Sequence, residues 1–262
     1  MTHRVRITET VDVGDTRIMT CVDGAGPTLV VLPSFGRDGL GDFDPFTDLL
    51  VAAGWRVLRP QPRGIAGSVG PMTGIDLKAL AGDVAAVIRR FGADPAVVLG
   101  HAFGNFVGRV LSVEHPDLVS CVVLAAASAT KVAPDVNETP FIAGDPSRPE
   151  QERLAALKKA FFAPSHDPRP WLDGWYPKAL AAQRAAVSAT NVAPYWFGGH
   201  APVLEIIPSL DPFKPPELWG ELREKAGERV TTAVVEDAAH ALFPEQPERV
   251  AAEVCRWAVR RR

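Results

Sequence analysis

The stretch from Pro95 to Glu114 constrains the fold of this chain more than any other. Near its start, a short apolar run at 96–99 is rich in β-branched residues and ends at a glycine, which is typical of a buried parallel strand. Five apolar residues then recur at helical spacing: Phe103, Phe106, Val107, Val110 and Leu111. Only the turn Gly100-His101-Ala102-Phe103-Gly104 separates the two patterns. The sequence therefore predicts a strand that turns sharply into a helix.

Short apolar runs alternate with helical patterns along most of the chain. Besides the strand at 96–99, strands are predicted at 4–12, 16–22, 28–32, 55–58, 119–125, 202–207 and 230–235, and the first two form a hairpin. Besides the helix after the tight turn, helices are predicted at 46–53, 75–91, 217–226 and 247–260. Strands that alternate with helices form a parallel sheet covered on both faces. The predicted fold class is therefore α/β, with a mostly parallel eight-stranded sheet.

The composition changes between residues 130 and 200, where proline, alanine and tryptophan are frequent and apolar strand runs are absent. Helical patterns cover 149–162 and 179–189 of this segment. Six aromatic residues gather in its second half: Trp171, Trp175, Tyr176, Tyr195, Trp196 and Phe197. Two interpretations weigh equally: these rings pack the segment onto the rest of the protein, or they line a substrate site.

Composition and charge exclude several classes of function. A net charge of −3 gives no basic surface for nucleic acid, and no apolar run approaches the roughly 20 residues that span a bilayer. No glycine-rich phosphate-binding motif follows a strand and no zinc-ligand spacing is present, so we expect neither a cofactor nor a metal. Three widely spaced cysteines, mostly in apolar runs, favour a reduced, cytoplasmic protein. We expect a small-molecule substrate, and the sequence leaves the oligomeric state open.

The tight turn resembles the nucleophile elbow, G-x-S-x-G, of the α/β-hydrolase superfamily, except that Ala102 stands at the serine position. Two further positions match this family in the expected order. Asp211 follows a predicted strand in an Asp-Pro context, and His240 follows the last strand in the sequence A-A-H-A-L-F-P-E-Q-P. The resemblance implies an α/β-hydrolase core over 1–129 and 201–262, with 130–200 inserted as a helical cap over the site.

The resemblance also implies roles for individual residues. His240 would be the general base, and Asp211 would fix its tautomer and orientation. The backbone N–H groups of Phe35 and Phe103 would form an oxyanion hole, which does not depend on the serine. The loop before Phe35 reads Pro33-Ser34 where the family usually has His-Gly, so the sequence departs from the pattern at this donor.

Asn105 is another departure, because the family frequently has a second glycine there. The favoured interpretation is a polar residue in the first turn of the helix. The less favoured one is a side chain whose amide binds water or substrate. Six residues are expected to bind substrate or to support the elbow: Ser34, His101, Asn105, Trp171, Trp175 and Trp196. Further polar candidates near the site are Arg37, Ser128 and His200.

Ala102 excludes an acyl-enzyme at the elbow, because alanine has no hydroxyl. Four interpretations remain open. Ala102 is a substitution introduced into an ordinary serine hydrolase, or it is native and the His240–Asp211 dyad activates water or substrate directly. Alternatively, the protein binds a ligand without catalysis, or another nucleophile acts, for which Ser34 is the best candidate. The other departures favour a native alanine, so we expect an enzyme for a small, largely apolar carbonyl or ester-type compound, by hydrolase, lyase, isomerase or cofactor-free oxygenase chemistry.

Overall fold

The computed structural model describes residues 6–92 and 95–258 of the chain. Its strands are β1 (Arg6–Val13), β2 (Thr16–Asp23), β3 (Thr28–Leu32), β4 (Arg56–Pro60), β5 (Ala96–His101), β6 (Val119–Ala125), β7 (Val203–Pro208) and β8 (Val230–Val235). They form one sheet in the order β1-β2-β4-β3-β5-β6-β7-β8. β2 is antiparallel to β1 and β4, and all other neighbours are parallel. The predicted α/β fold with a mostly parallel eight-stranded sheet is confirmed.

The helices alternate with the strands and also fill the segment between β6 and β7. They are α1 (Asp44–Ala52), α2 (Leu77–Arg90), α3 (Phe103–Glu114), α4 (Pro134–Asn137), α5 (Thr139–Ala143), α6 (Glu150–Ala160), α7 (Pro177–Ala189), α8 (Glu221–Ala226), α9 (Leu242–Glu245) and α10 (Pro247–Ala258). In the described ranges, no helix combines the length and apolarity that crossing a bilayer requires.

Two apolar cores cover the two faces of the sheet. On one face, α2 and α3 contribute side chains such as Leu80 and Val107. On the other face, α1 and α10 contribute side chains such as Phe46 and Trp257. Because β5 is central, alternate residues of this strand enter opposite cores and all six of its residues are buried. The tight turn after β5 is therefore fixed by packing from both sides.

The intervening segment, residues 130–200, carries α4 to α7 and contains no strand. A third apolar cluster joins it to the sheet. In this cluster, Leu157 and Phe161 from the α6 region meet Trp171, together with Phe213 of the loop after β7 and Ala241 of the loop after β8. The segment therefore packs directly on the loops at the carboxyl ends of these strands.

The structure divides one predicted helix and leaves two predicted ends undescribed. In place of a continuous helix at 217–226, a single 3₁₀ turn at Pro216–Leu218 precedes α8, which starts after Gly220. Two successive prolines open the 3₁₀ turn, and Gly220 is a poor helix former. The helix is therefore interrupted between the 3₁₀ turn and α8. The predicted start of the first strand at residue 4 and end of the last helix at residue 260 lie outside the described residues.

Candidate active site

The elbow has the backbone geometry that its sequence predicts. Ala102 lies between β5 and α3 with φ 50° and ψ −108°, a conformation that costs a non-glycine residue on the order of 1–3 kcal/mol. Gly104 allows the close approach of α3 to β3, since a Cβ atom there would lie 2.2 Å from the Leu32 carbonyl oxygen. The Ala102 N–H donates to the Ala125 carbonyl at the end of β6 (3.1 Å). The strained turn is thus held in place although its side chain is only a methyl group.

His240 and Asp211 form a buried hydrogen-bonded pair. His240 Nδ1 lies 2.9 Å from Asp211 Oδ2, and the two residues are 5% and 3% exposed. The other carboxylate oxygen, Oδ1, accepts from the Phe213 N–H at 2.9 Å. The Phe213 ring stacks on the imidazole with centroids 4.1 Å apart, and the Phe161 ring meets it edge-on. The loop after β7 therefore fixes the imidazole through Asp211 and Phe213, the end of α6 contributes Phe161, and Nε2 remains the nitrogen available to a ligand.

His101, beside the elbow, supports the histidine loop. Its Nε2–H donates to the His240 carbonyl oxygen at 2.7 Å, and its ring is buried. Burial lowers the pKa of His101 to about 3, with a further lowering from the charge of a protonated His240. His101 is therefore neutral at ordinary pH. It holds the main chain of His240 and does not line the cavity.

Glu245 of α9 also holds this loop. Its Oε1 accepts from the Ala163 N–H and its Oε2 from the Ala239 N–H, both at 2.6 Å. Burial raises the pKa of this carboxyl, and the two N–H bonds oppose the rise. One side chain therefore links the residue before His240 to the intervening segment.

Phe35 and Phe103 lie side by side on the wall of the cavity. Their rings pack with centroids 4.5 Å apart, and both residues line the cavity above Ala102. Among hydrogen bonds of residues 6–92 and 95–258, neither N–H has an acceptor. Phe103 is the first residue of α3, where N–H groups lack intrahelical partners and the helix dipole is positive. The arrangement suits a negatively charged oxygen.

The cavity has a volume of about 270 Å³ and lies between the sheet and the intervening segment. Its wall combines aromatic and aliphatic side chains with polar ones, and Arg184 carries a full charge among the lining residues. The lining residues are Ser34, Phe35, Ala102, Phe103, Phe106, Ser128, Asn137, Pro140, Phe141, Arg184, Val187, Ser188, Phe213 and His240. A compound that fills it would be small and mostly apolar.

The intervening segment holds the peptide that follows Phe35. The Gly36 N–H donates to Gln183 Oε1 of α7 at 2.7 Å, and the Gly36 carbonyl accepts from the Tyr176 N–H at 2.8 Å. Gly36 has φ +59°, and an added Cβ would lie 2.8 Å from the Leu180 side chain. The orientation of the Phe35 donor therefore depends on α7.

The side chain of Arg37, the next residue, also links the loop after β3 to the intervening segment. Its guanidinium donates to the Asp173 carbonyl (2.6 Å), pairs with Asp42 (2.7 Å) and lies over Trp171 and Trp175, 4.2 and 5.3 Å from the ring centroids. These two tryptophans therefore pack against Arg37 and do not line the cavity. The packing interpretation of the aromatic cluster accounts for both of them.

The remaining predicted residues fall into two groups. Ser34 and Ser128 line the cavity. Asn105 does not, because it is buried and its Nδ2–H donates to the Ala125 carbonyl at 2.9 Å. Trp196 also lies elsewhere, with the Arg109 guanidinium 4.4 Å from its ring centroid, and exposed His200 is not among the lining residues.

A buried ion pair supports the loop of the acid. Lys214, three residues after Asp211, donates to Glu205 of β7, and both side chains are at most 2% exposed. Burial raises the pKa of Glu205, and Lys214 opposes this rise. The Lys214 N–H also donates to the Asp211 carbonyl at 3.1 Å. The pair therefore anchors the loop to the strand from which it emerges.

Sequence reasoning missed Phe213, Gln183 and Arg184. Phe213 had a usable signal, since it lies two residues after the candidate acid. Gln183 and Arg184 are neighbours on an amphipathic helix and resemble solvated polar residues in the sequence. Their positions depend on how α7 docks, which no local pattern encodes. In the described ranges, no cluster of three or more His, Cys, Asp or Glu side chains is arranged to hold a metal.

Comparison with known proteins agrees with the fold described above. BpoC of Mycobacterium tuberculosis H37Rv, which carries a provisional non-heme bromoperoxidase name, is 26% identical over 243 residues, covering 87% of this chain and 92% of BpoC. Its crystal structure superposes with a TM-score of 0.77 and covers 94% of this chain and 96% of that one. An esterase from Exiguobacterium antarcticum has the same fold, with a TM-score of 0.79 at 20% identity, covering 97% and 100% of the two chains.

A deacetylase of pyrrolizixenacetamide from Xenorhabdus hominickii is 28% identical over 117 residues, and the match spans less than half of either protein (45% of this chain and 44% of the deacetylase). The family model described as the alpha/beta hydrolase fold matches residues 27–247, which include the elbow, Asp211 and His240. The chain belongs to the α/β-hydrolase fold family.

Proposed function

We propose that this protein is an enzyme acting on a small, largely apolar carbonyl or ester-type compound. His240, oriented by Asp211, is the general base, and the Phe35 and Phe103 N–H groups form the oxyanion hole. The observation that carries the proposal is the intact 2.9 Å hydrogen bond between His240 and Asp211, with His240 on the wall of a cavity that is lined in part by aromatic and aliphatic side chains. Residues 130–200 act as a cap over a core formed by 1–129 and 201–262.

The proposed chemistry needs no covalent intermediate. His240 Nε2 takes a proton from a water molecule as its oxygen attacks the carbonyl carbon, and Asp211 stabilises the imidazolium that forms. The carbonyl oxygen becomes an oxyanion and accepts from the Phe35 and Phe103 N–H groups. When the tetrahedral intermediate collapses, the leaving group takes the proton back from His240. Direct removal of a proton from a bound substrate uses the same two groups and gives lyase or isomerase chemistry.

Ala102 sets the scale of the expected rate. In a serine hydrolase, loss of the nucleophile reduces kcat by about 10⁶ and leaves roughly 10³–10⁴ over the uncatalysed rate, from the oxyanion hole and binding. A positioned base adds typically 10²–10⁴ where proton transfer limits the reaction. We therefore expect slow turnover of ordinary esters and better turnover of substrates that need only a base and an oxyanion hole.

A panel of activated esters, lactones and β-hydroxy ketones tests the proposal with purified protein. Turnover in His240→Ala should fall about 10²–10⁴-fold for every substrate that the parent protein converts. The kcat of Asp211→Asn should fall by a comparable factor, because the imidazole loses its orientation, and KM should change less than kcat. His200→Gln, an exposed histidine outside the cavity, is the matched control. Equal turnover by His240→Ala and the parent protein would refute the proposal.

A further inference from the structure

The cavity runs from a buried end to an exposed end. At the elbow, three of its lining residues are buried: Ser34, Ala102 and His240. Asn137 of α4 and Ser188 of α7 line the cavity from exposed positions. The opening of the cavity to solvent therefore lies in the intervening segment, between α4 and α7.

Arg184 spans this opening from the α7 side. Its Nη2 donates to Glu138 Oε1 at 2.7 Å, and its Nη1 donates to Glu138 Oε2 at 3.3 Å. Glu138 joins α4 to α5 and directly follows Asn137, which lines the cavity. The bidentate pair therefore connects the two sides of the opening, and its two parallel bonds fix the orientation of the guanidinium.

The guanidinium also ends a row of aromatic rings that leads to the elbow. Its central carbon lies 3.9 Å from the centroid of the Phe141 ring. The Phe141 ring is 5.7 Å from the ring of Phe35, which packs on Phe103 at 4.5 Å. All four residues line the cavity. One wall of the cavity therefore extends from the first residue of α3 to Arg184.

We propose that Arg184 and Glu138 form a clasp across the opening, which restricts the substrates to compounds short enough to lie beneath it. The cavity of about 270 Å³ is the space that the closed clasp leaves. The two charges compensate each other, so the clasp adds no net charge to the path of an apolar ligand. The inference rests on the proposed function for the nature of the occupant, an apolar carbonyl compound, but not on turnover.

The strength of the clasp suits a closure that opens. The side chains of Arg184 and Glu138 are 49% and 47% exposed. An exposed ion pair contributes little to stability and is screened by salt, so thermal motion opens it readily. A residue that only forms the wall limits ligand length by its own size. A clasp depends in addition on its partner and on the ionic strength, and this difference can be measured.

Labelling of a thiol at the elbow tests the inference without turnover. Ala102→Cys places the thiol at the buried end of the cavity, and methyl and octyl methanethiosulfonate react with it through the same group. Peptide mapping separates position 102 from the native Cys21, Cys121 and Cys255. The measured quantity is the octyl-to-methyl ratio of the second-order rate constants at position 102, divided by the same ratio for glutathione.

Loss of the clasp should favour the longer reagent. In the Ala102→Cys protein, Arg184→Ala should raise the ratio about five- to twenty-fold, because it removes both the ion pair and the contact with the neighbouring ring. Glu138→Gln should raise it about two- to five-fold, because it removes the ion pair alone. An increase in NaCl from about 0.05 to 0.5 M should raise the ratio in the protein with an intact clasp and leave it unchanged in Arg184→Ala.

Lys159→Ala in the same Ala102→Cys protein is the matched control. It breaks an exposed ion pair with Asp135 of α4, 2.6 Å long, and neither residue is among those that line the cavity. The ratio should stay within about two-fold in this variant. Circular dichroism establishes that each variant is folded.

An unchanged ratio in folded Arg184→Ala would overturn the inference. So would an equal rise in Lys159→Ala, which would show a general loosening of the intervening segment. A rise in Arg184→Ala without any response to Glu138→Gln or to salt would overturn it too, because Arg184 would then act by its size alone. An unchanged ratio beside turnover that depends on His240 would refute the clasp and leave the proposed function standing. The expected labelling without turnover of any substrate would refute the proposed function and leave the clasp standing.

Discussion

Restoring the missing hydroxyl is the sharpest perturbation of this site. Ala102→Ser adds one oxygen to a side chain that is 8% exposed and whose backbone already has the strained elbow conformation. The His240–Asp211 hydrogen bond is already formed, and His240, Phe35 and Phe103 line the same cavity as Ala102. The substitution therefore tests whether the site lacks only the nucleophile.

The expected gain follows from the groups that remain. Loss of the serine from a complete triad costs about 10⁶ in kcat, and we expect at least 10³ of this factor to return, since the new hydroxyl has not been optimised. A factor of 10³ corresponds to about 4 kcal/mol of transition-state stabilisation. A serine side chain adopts one of three staggered rotamers, and the expected gain requires the one that directs its hydroxyl towards the imidazole.

The assay is the hydrolysis of p-nitrophenyl acetate, followed by kcat/KM and by the burst that an acyl-enzyme produces. Mass spectrometry after treatment with a sulfonyl fluoride should show one adduct on Ala102→Ser and none on the parent protein. The double variant Ala102→Ser, His240→Ala should lose the gain. A folded Ala102→Ser protein with less than a ten-fold gain in kcat/KM and no adduct would refute this reasoning. It would show that position 102 is not placed for its hydroxyl to be activated by His240.

Three other substitutions test the supports of the site. His101→Gln keeps a donor for the His240 carbonyl but removes an imidazole whose pKa falls from 6.5 to about 3 on folding. The parent protein should therefore lose stability as the pH falls below 6.5, and the variant should avoid about 2–3 kcal/mol of that loss between about pH 6.5 and 4.5. Urea unfolding at a series of pH values measures the difference. Gly36→Ala should cost about 1–3 kcal/mol from its positive φ and should lower kcat through the oxyanion loop, whereas Gly41→Ala, in open space, should change little. Lys214→Met leaves Glu205 buried without its partner and should cost about 3–5 kcal/mol in thermal unfolding, and adding Glu205→Gln should restore much of it.

The elbow was predictable because its constraints are local. Gly100 and Gly104 permit backbone contacts that any Cβ would block, and the change from a buried strand to a helical period fixes where the turn lies. The positions of Asp211 and His240 followed from the parallel sheet, whose carboxyl ends lie on one side. Their hydrogen bond joins residues 29 positions apart and became visible only in the structure.

The wall of the cavity was not predictable in the same way. Trp171 and Trp175 looked like substrate contacts because aromatic residues are common in binding sites, but they pack with the buried Arg37 guanidinium. The residues that do form the wall, such as Phe141 and Arg184, come from the docking of α5 and α7. Docking depends on tertiary contacts between segments distant in sequence, and a single chain carries no local signal for them.

The paired hydrogen bonds of Glu245 have a consequence for local unfolding. Its two oxygens accept from the N–H groups of Ala163 and Ala239, so one carboxylate couples residues 130–200 to the main chain next to His240. We expect these two amides to exchange with solvent in one cooperative opening, at matched rates over a range of denaturant. If the two bonds open together, an opening that admits a ligand to the cavity also loosens the chain that carries His240.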